Sequence, residues 1–451
     1  MKSRMLQTLA VMLAVAVFAF GQTTKYNYQF AGAFPDTGFK GPSGAHGVAV
    51  DPEGKVWIQL FTSTTKDSIM TPTGNKVVHG IYVFNADKTP AAFSPLKTVT
   101  VAAVTDTFLT GNNRGITRDA KGNIVFTRSS GAIYRVNYKT GAGMNKVIPQ
   151  ATSPIMPAFD DLNEMFTGNV LDAVGPIRIY DDAFSFLGTV VDTSRGFSRC
   201  LGVSADGNDV YWTSYTKPGL IIYHSDNGSL GPYTITDTVM WGMTIESINW
   251  HPVTKYLWVS TGNAFAPSGY DSMYTMKKWG NYMFYGFKPP ITRTSVPVDS
   301  FQWGWSLSAD SLMKVDPRPR GIAFSPTGDT VYVAQFNPST IEAVQRFIGH
   351  GVTSVRPEEG LVAERFELKQ NYPNPFNPST KITFSVTSRT EATVKVYDIL
   401  GKEVAQVANG TFDAGVYTVP FDAGTLSAGM YIYTMRTANG FSQSKKMLLL
   451  K

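Results

Sequence analysis

Residues 320–334 read RGIAFSPTGDTVYVA. Apolar residues alternate over 322–324 and again over 331–333, the period of a half-buried strand. Between them Pro326 and Gly328 supply the chemistry of a tight turn. The same unit opens at His46 (HGVAVDPEGKVWIQ), at Arg114 (RGITRDAKGNIVFT) and at Leu201 (LGVSADGNDVYWTS). A weaker copy opens at Glu246 (ESINWHPVTKYLWVS), where Ser247 stands in place of glycine. Recurrence at a fixed phase is the mark of a repeat fold.

The starts at His46, Arg114, Leu201, Glu246 and Arg320 are separated by 68, 87, 45 and 74 residues. A spacing of 45 suits one four-stranded blade, and 87 is close to two. A degenerate copy is therefore expected near Asp160 and Asp161, followed by strands over 177–180 and 184–187. The spacings of 68 and 74 are read as single blades with long loops. Runs at 80–84, 131–136 and 219–223 fit a further strand within their blades. The expected fold is all-β: a six-bladed β-propeller over residues 22–351, with seven blades as the alternative count. The units, of the form xG[IV]xxDxxG, resemble NHL and gluconolactonase-like propellers over roughly 40–350.

The composition agrees with an ordered, strand-rich chain. Of 451 residues, 43% are hydrophobic, 13% aromatic and only 16% charged, with 41 glycines. Lys2 and Arg4 precede an apolar run ending at Phe20, and small residues stand at Ala19 and Gly21. Residues 1–21 read as a secretory signal peptide cleaved before Gln22, the apolar run being shorter than the ~20 residues a spanning helix needs. No later stretch is apolar enough to span a membrane as a helix. Removing Lys2 and Arg4 takes the net charge from +6 to +4. No run of Lys and Arg exceeds two residues, so the sequence carries no footprint for nucleic acid. Cys200, the single cysteine, has no intrachain partner and is read as a buried, inert thiol.

Residues 352–363 form a polar linker, after which the pattern changes. Alternating strands over 381–386, 392–397, 403–405, 415–419, 429–435 and 442–450 predict a small immunoglobulin-like sandwich over 364–451. The stretch NYPNPFNPST at 371–380 places Pro373, Pro375 and Pro378 where backbone donors are removed and φ is fixed. That keeps the segment extended, and Tyr372 and Phe376 are expected to pack it onto the sandwich. With VYDILGKEV at 396–404, LSAGMYIYTM at 426–435 and the closing KKMLLLK at 445–451, this segment resembles the type A C-terminal sorting domain of the type IX secretion system. The positions that carry the resemblance are Tyr372, Pro373, Asn374, Pro375, Phe376, Asn377, Pro378, Gly401, Gly429, Tyr431, Lys445 and Lys446. It implies the type IX machinery as a partner, passage across the outer membrane, removal of the domain, and release or attachment at the surface.

Chemistry is sparser. The five histidines show no metal-ligand spacing, and neither HExxH nor GxSxG occurs. The residue before each repeat glycine is expected near a central channel, which nominates His46, Arg114, Glu246 and Arg320, with Asp160 or Asp161 from the degenerate copy. Gluconolactonase-like enzymes hold a divalent metal there with Glu, Asn and Asp. Two arginines and Leu201 depart from that cage, so no metal or cofactor is expected unless the lactonase-like alternative holds. Arginines near one axis favour an anionic ligand or an internal pair with Glu246. A second candidate is the aromatic insertion with Tyr274, Trp279, Tyr282, Tyr285, Trp303 and Trp305, a surface for stacking on sugars or a protein partner. The expected function is an exported binding module for a glycan or surface protein. The alternatives are a lactonase-like or glycan-cleaving hydrolase, and a structural surface component.

Overall fold

The computed structural model describes residues 26–36, 39, 43–62, 67–109, 112–149, 153–170, 174–214, 216, 219–262, 279–280, 282–303, 318–336, 342–349, 365–412, 414–423 and 426–450. The expected signal peptide at 1–21 and the expected linker at 352–363 lie outside them. The fold is all-β, with many small antiparallel sheets and no α-helix among the described residues. The chain divides into two compact units at Thr353/Ser354.

In the unit spanning 25–353, six sheets follow one another along the chain. The first holds Ala45–Val50, Val56–Leu60 and Ile81–Phe84. The second runs from Asn113–Arg118 to Gly143–Val147, and the third from Ala158–Phe159 to Phe186–Val191. The fourth runs from Leu201–Val203 to Thr234–Val239, and the fifth from Ile245–Trp250 to Asp299–Gln302. The sixth contains Arg318–Phe324, Thr330–Phe336 and Val344–Gly349, and takes the N-terminal strand Tyr28–Ala33 as its outer member. Two extra hairpins, Ser68–Thr71 with Gly74–Val77 and Thr98–Val101 with Val104–Thr107, account for the long first spacing.

Each repeat unit is the first two strands of a sheet with the turn between them. The turn-opening residue bonds its N–H to the carbonyl at the turn's far end, at Asp51, Asp119, Asp160, Ser204, His251 and Ser325. Asp51 and Asp119 also accept two N–H groups each on Oδ1, which is why aspartate suits that place. At His251 the ring replaces the carboxylate, Nδ1 accepting the N–H groups of Val253 and Thr254.

The repeat glycines have a packing reason. A Cβ on Gly115 would lie 2.6 Å from Met156 Cβ, and one on Gly321 would lie 2.8 Å from Val48 N. Leading strands of neighbouring sheets meet at these points. The series continues through the Met156–Cys200 bridge, the Cys200 thiol facing the Glu246 carbonyl at 3.7 Å, and Asn249 Nδ2 donating to Ile322 O at 2.8 Å. Six apolar clusters fill the spaces between consecutive sheets, one of them shared by the sixth and the first. Trp57, Trp212 and Trp258 are fully buried in these layers.

The C-terminal unit has two sheets. One pairs Glu367–Leu368, Ser379–Val386 and Gly415–Asp422, and the other orders Glu403–Phe412, Thr390–Tyr397, Gly429–Thr437 and Ser442–Leu449. Alternating residues of both, among them Phe384, Val394, Tyr433 and Met447, are buried.

Candidate functional site

Four of the nominated residues share a structural device. The strand register skips one residue at His46, at Arg114, at Glu246 and at Arg320. Each is therefore the extra residue of a β-bulge, which re-aims a side chain out of the ladder. The glycine or serine that follows allows the next strand to approach. The two features together bring four side chains from four sheets into one cluster.

Arg320 Nε lies 3.0 Å from Glu246 Oε2, and both side chains are buried. Arg320 Nη1 lies 3.4 Å from His46 Nε2, and His46 Nδ1 lies 3.0 Å from the Arg114 carbonyl. The carbonyl accepts only, so Nδ1 carries the proton and Nε2 accepts from the guanidinium. Burial, together with the charges of Arg320, Arg199 and Arg114, holds the His46 pKa well below its ordinary value and keeps the ring neutral. The Arg114 guanidinium lies 5.3 Å from the centre of the Phe61 ring and its Nε donates to Ser153 Oγ at 3.2 Å. Arg320 lies over Phe336 at 4.8 Å, so each arginine has an aromatic face beside it.

The segment just before the fourth sheet contributes Arg199, which the sequence reading missed. His46, Arg114, Glu246 and Arg320 each stand five residues before a turn-opening residue, and for the turn at Ser204 that place falls on Arg199. Phasing the fourth copy on its glycine, Gly202, shifted it by two residues and selected Leu201, a buried residue of the apolar layer. Counting back from the turn is the signal that finds Arg199. The same count in the third sheet falls on Ile155. Asp160 is instead the turn opener, at the far end of its leading strand, and stands apart from the other four.

That end has its own cavity, of about 780 Å³, lined by the turn-proximal ends of all six leading strands. Asp160 and Asp161 line it. Asp160 is 1% exposed, accepts the Glu164 N–H on Oδ1 at 2.8 Å, and has no hydrogen-bond donor at Oδ2. Burial, and then the neighbouring Glu164 carboxyl, push its pKa up to about 7.

The aromatic insertion is largely interior where it is described. Trp279, Tyr282 and Trp303 are buried in apolar layers, and Trp279 Nε1 donates to Trp241 O at 2.9 Å. The Tyr285 hydroxyl accepts the Gly280 N–H, and its ring is only partly buried. Tyr274 and Trp305 lie outside the described residues. These residues cover apolar strands, which is why the aromatic content alone did not locate a stacking platform. Cys200 is buried, and burial pushes its thiol pKa up to about 12. Among the described residues no group of three or more His, Cys, Asp or Glu side chains gathers where it could hold a metal ion.

In the C-terminal unit Phe376 is buried against Phe421, and its backbone bridges to Leu448 and Leu450. Asn374 accepts the Leu448 N–H at 2.9 Å, so the proline segment is fastened to the last strand. Tyr372 does not pack as expected. Its side chain is 81% exposed, because only its backbone pairs, with Lys381. Gly401 has φ of 83° in the turn opened by Asp398, a conformation that favours glycine. Pro378 accepts the Ala423 N–H through its carbonyl, and Tyr431 donates its hydroxyl to Ser427 O. Pro373 O accepts from Asn371 and Thr380, whereas Lys446 is exposed and Lys445 half-buried along the final strand.

No curated protein matches the chain. Among solved structures, one of PorZ, described as an essential bacterial surface component of the type-IX secretion system of human oral-microbiomic Porphyromonas gingivalis, aligns at 14% identity with a TM-score of 0.39. It covers 90% of this chain, which spans about half, 51%, of the PorZ chain. A structure of the mitotic checkpoint complex aligns at 11% identity and a TM-score of 0.42, covering 75% of this chain and 98% of its own. At these TM-scores neither likeness bears on function. Residues 370–450, the segment containing the proline motif and the final strand, match the family of secretion system C-terminal sorting domains.

Proposed function

We propose that this chain is an exported binding protein: a propeller delivered to the cell surface or medium by type IX secretion. The carrying observation is the sorting-domain match over 370–450. In this reading residues 1–21 are removed at the inner membrane, residues 22–351 are the delivered domain, 352–363 the linker, and 364–451 an immunoglobulin-like module read by the secretion machinery. Six consecutive sheets, apolar layers that return from the sixth to the first, and a last sheet built from both ends of the segment support a six-bladed propeller. The break between compact units at Thr353/Ser354 supports the division.

The bulge residues support a binder over a metal-dependent lactonase. Arg114, Arg199 and Arg320 stand around the neutral His46, and Glu246 pairs with Arg320, a set that does not make a carboxylate cage. The Glu246–Arg320 pair favours internal neutralisation as the principal role of Glu246. Delivery is tested by expressing the full chain and a truncation lacking 364–451 in a bacterium with a working type IX system, then fractionating the cells. The full chain is expected at the surface or in the medium and the truncation in the periplasm. Surface delivery of the truncation would overturn the assignment.

A further inference from the structure

The cavity at the turn end of the leading strands is chemically unlike the arginine cluster at their other end. Its lining between the third and fourth sheets carries Asp160, Asp161, Asp206 and Asp209. Its lining cations, Arg118 and Lys255, come from the second and fifth sheets. Asp160 decides what this surface is built to meet. In the first three sheets the turn-opening aspartate uses Oδ1 for the turn itself, which leaves Oδ2 for a second donor. In the first sheet Oδ2 of Asp51 receives the Trp57 indole N–H at 3.0 Å. In the second, Oδ2 of Asp119 is ion-paired with Arg135 Nε at 2.9 Å, and that guanidinium lies 4.5 Å from the Phe184 ring centre. In the third, Oδ2 of Asp160 has no donor although the residue is 1% exposed. The side chain within hydrogen-bonding reach is the Glu164 carboxyl, whose Oε2 is likewise buried without a donor. A buried carboxylate left this way is costly unless a cation or a proton meets it.

We propose that this cavity binds an organic cation, an ammonium or guanidinium group seated against Asp160 between the third and fourth sheets. The second sheet shows the arrangement within the molecule, a guanidinium on the turn aspartate with an aromatic ring on its face. In the cavity Tyr211 and Trp250 provide rings for the same purpose. A volume of about 780 Å³ is that of a small-molecule or side-chain site and far exceeds a bare ion. The groups facing Asp160 and Glu164 from the fourth sheet are Asp206, Asp209 and Tyr233. Asp209 is paired with His224 and the Tyr233 hydroxyl donates to Gly207 O. Below about pH 7 Asp160 holds a proton, which an arriving cation displaces.

The test is calorimetric titration of the full mature chain with L-argininamide and with a short arginine-containing peptide, at pH 6 and pH 8, in buffers of differing ionisation enthalpy. Saturable binding is expected, about tenfold tighter at pH 8 because the carboxyl titrates between these values, with proton release at pH 6. Binding of both probes assigns the site to a free cation, and binding of the peptide alone assigns it to a side chain presented by a partner. Asp160→Asn is expected to lose at least tenfold in affinity. Glu164→Gln is expected to keep the binding and to reduce the pH dependence in part, since burial of Asp160 remains, and it serves if Asp160→Asn does not fold. Absence of saturable binding for both probes, unchanged affinity in Asp160→Asn, or unchanged pH dependence in Glu164→Gln would each overturn the proposal.

Discussion

Glu246 and Arg320 show how much of this site rests on one ion pair. Both are buried, and Arg320 also shares the neutral His46 with Arg114 and Arg199, so removing the carboxylate charge leaves arginines without a counter-charge in a low-dielectric interior. Glu246→Gln is expected to lower stability by about 3–5 kcal/mol, read from urea unfolding of the mature chain. An unchanged midpoint would mean that the pair is not structural. The histidines set a pH dependence. His46 is held neutral, and burial lowers the His251 pKa to about 4, so the unfolded chain takes up protons below pH 6.5 that the folded chain refuses. Stability from these two groups is present above pH 6.5 and falls as the pH drops. Asp160 acts in the opposite sense, since its raised pKa lets the folded chain hold a proton between its ordinary range and about 7. Asp160→Asn should therefore steepen the loss of stability between pH 6.5 and 4, measured as the urea midpoint at several pH values. A slope equal to that of the wild type would contradict the placement of that proton. At this scale the sequence showed His46, Arg114, Glu246 and Arg320 through their shared place before a glycine or serine. It hid Arg199 because Gly202 is not the repeat glycine of its sheet, and it hid the partners of Asp160 because they depend on the third dimension.

The leading strands explain why glycine recurs. Gly115 and Gly321 lie where backbone of the next sheet passes, and neither needs a positive φ, so the requirement is space alone. Gly115→Ala and Gly321→Ala are each expected to destabilise by about 2–3 kcal/mol, since the obstacles include backbone atoms that cannot rotate away. Thermal melts within a degree of the wild type for both would show that the sheets are not packed this closely. Strand alternation made most elements legible, including those of the C-terminal unit. The leading strand of the third sheet was faint because it has only two residues, Ala158–Phe159, just after Pro157. The pairing of Tyr28–Ala33 with Val344–Gly349 could not be read locally, because its partners lie more than 300 residues apart. The aromatic residues beyond Thr261 announced burial, yet their spacing did not say whether a partner or the protein's own sheets would cover them. Trp279, Tyr282 and Trp303 are covered by the sheets.

Across the whole molecule, the two units divide the work. The first packs six consecutive sheets, the sixth sharing an apolar layer with the first, with an arginine cluster at one end of their leading strands and an acidic-walled cavity at the other. The second fastens the proline segment to its last strand through Phe376 and Asn374 and leaves Tyr372 exposed. The sorting assignment was the most legible feature of the sequence, because it rests on consecutive residues and not on contacts between distant ones. The side-chain clusters were the least legible, since they depend on which residues the packed sheets bring together. If the C-terminal unit directs export, transferring it to another protein should carry that protein out of the cell. A periplasmic reporter carrying residues 1–21 at its N-terminus and 364–451 at its C-terminus would be located by fractionation in wild-type and type IX-deficient strains. Reporter is expected at the surface or in the medium of the wild type and in the periplasm of the deficient strain. Periplasmic retention in both strains, or export in both, would contradict that role of the C-terminal unit.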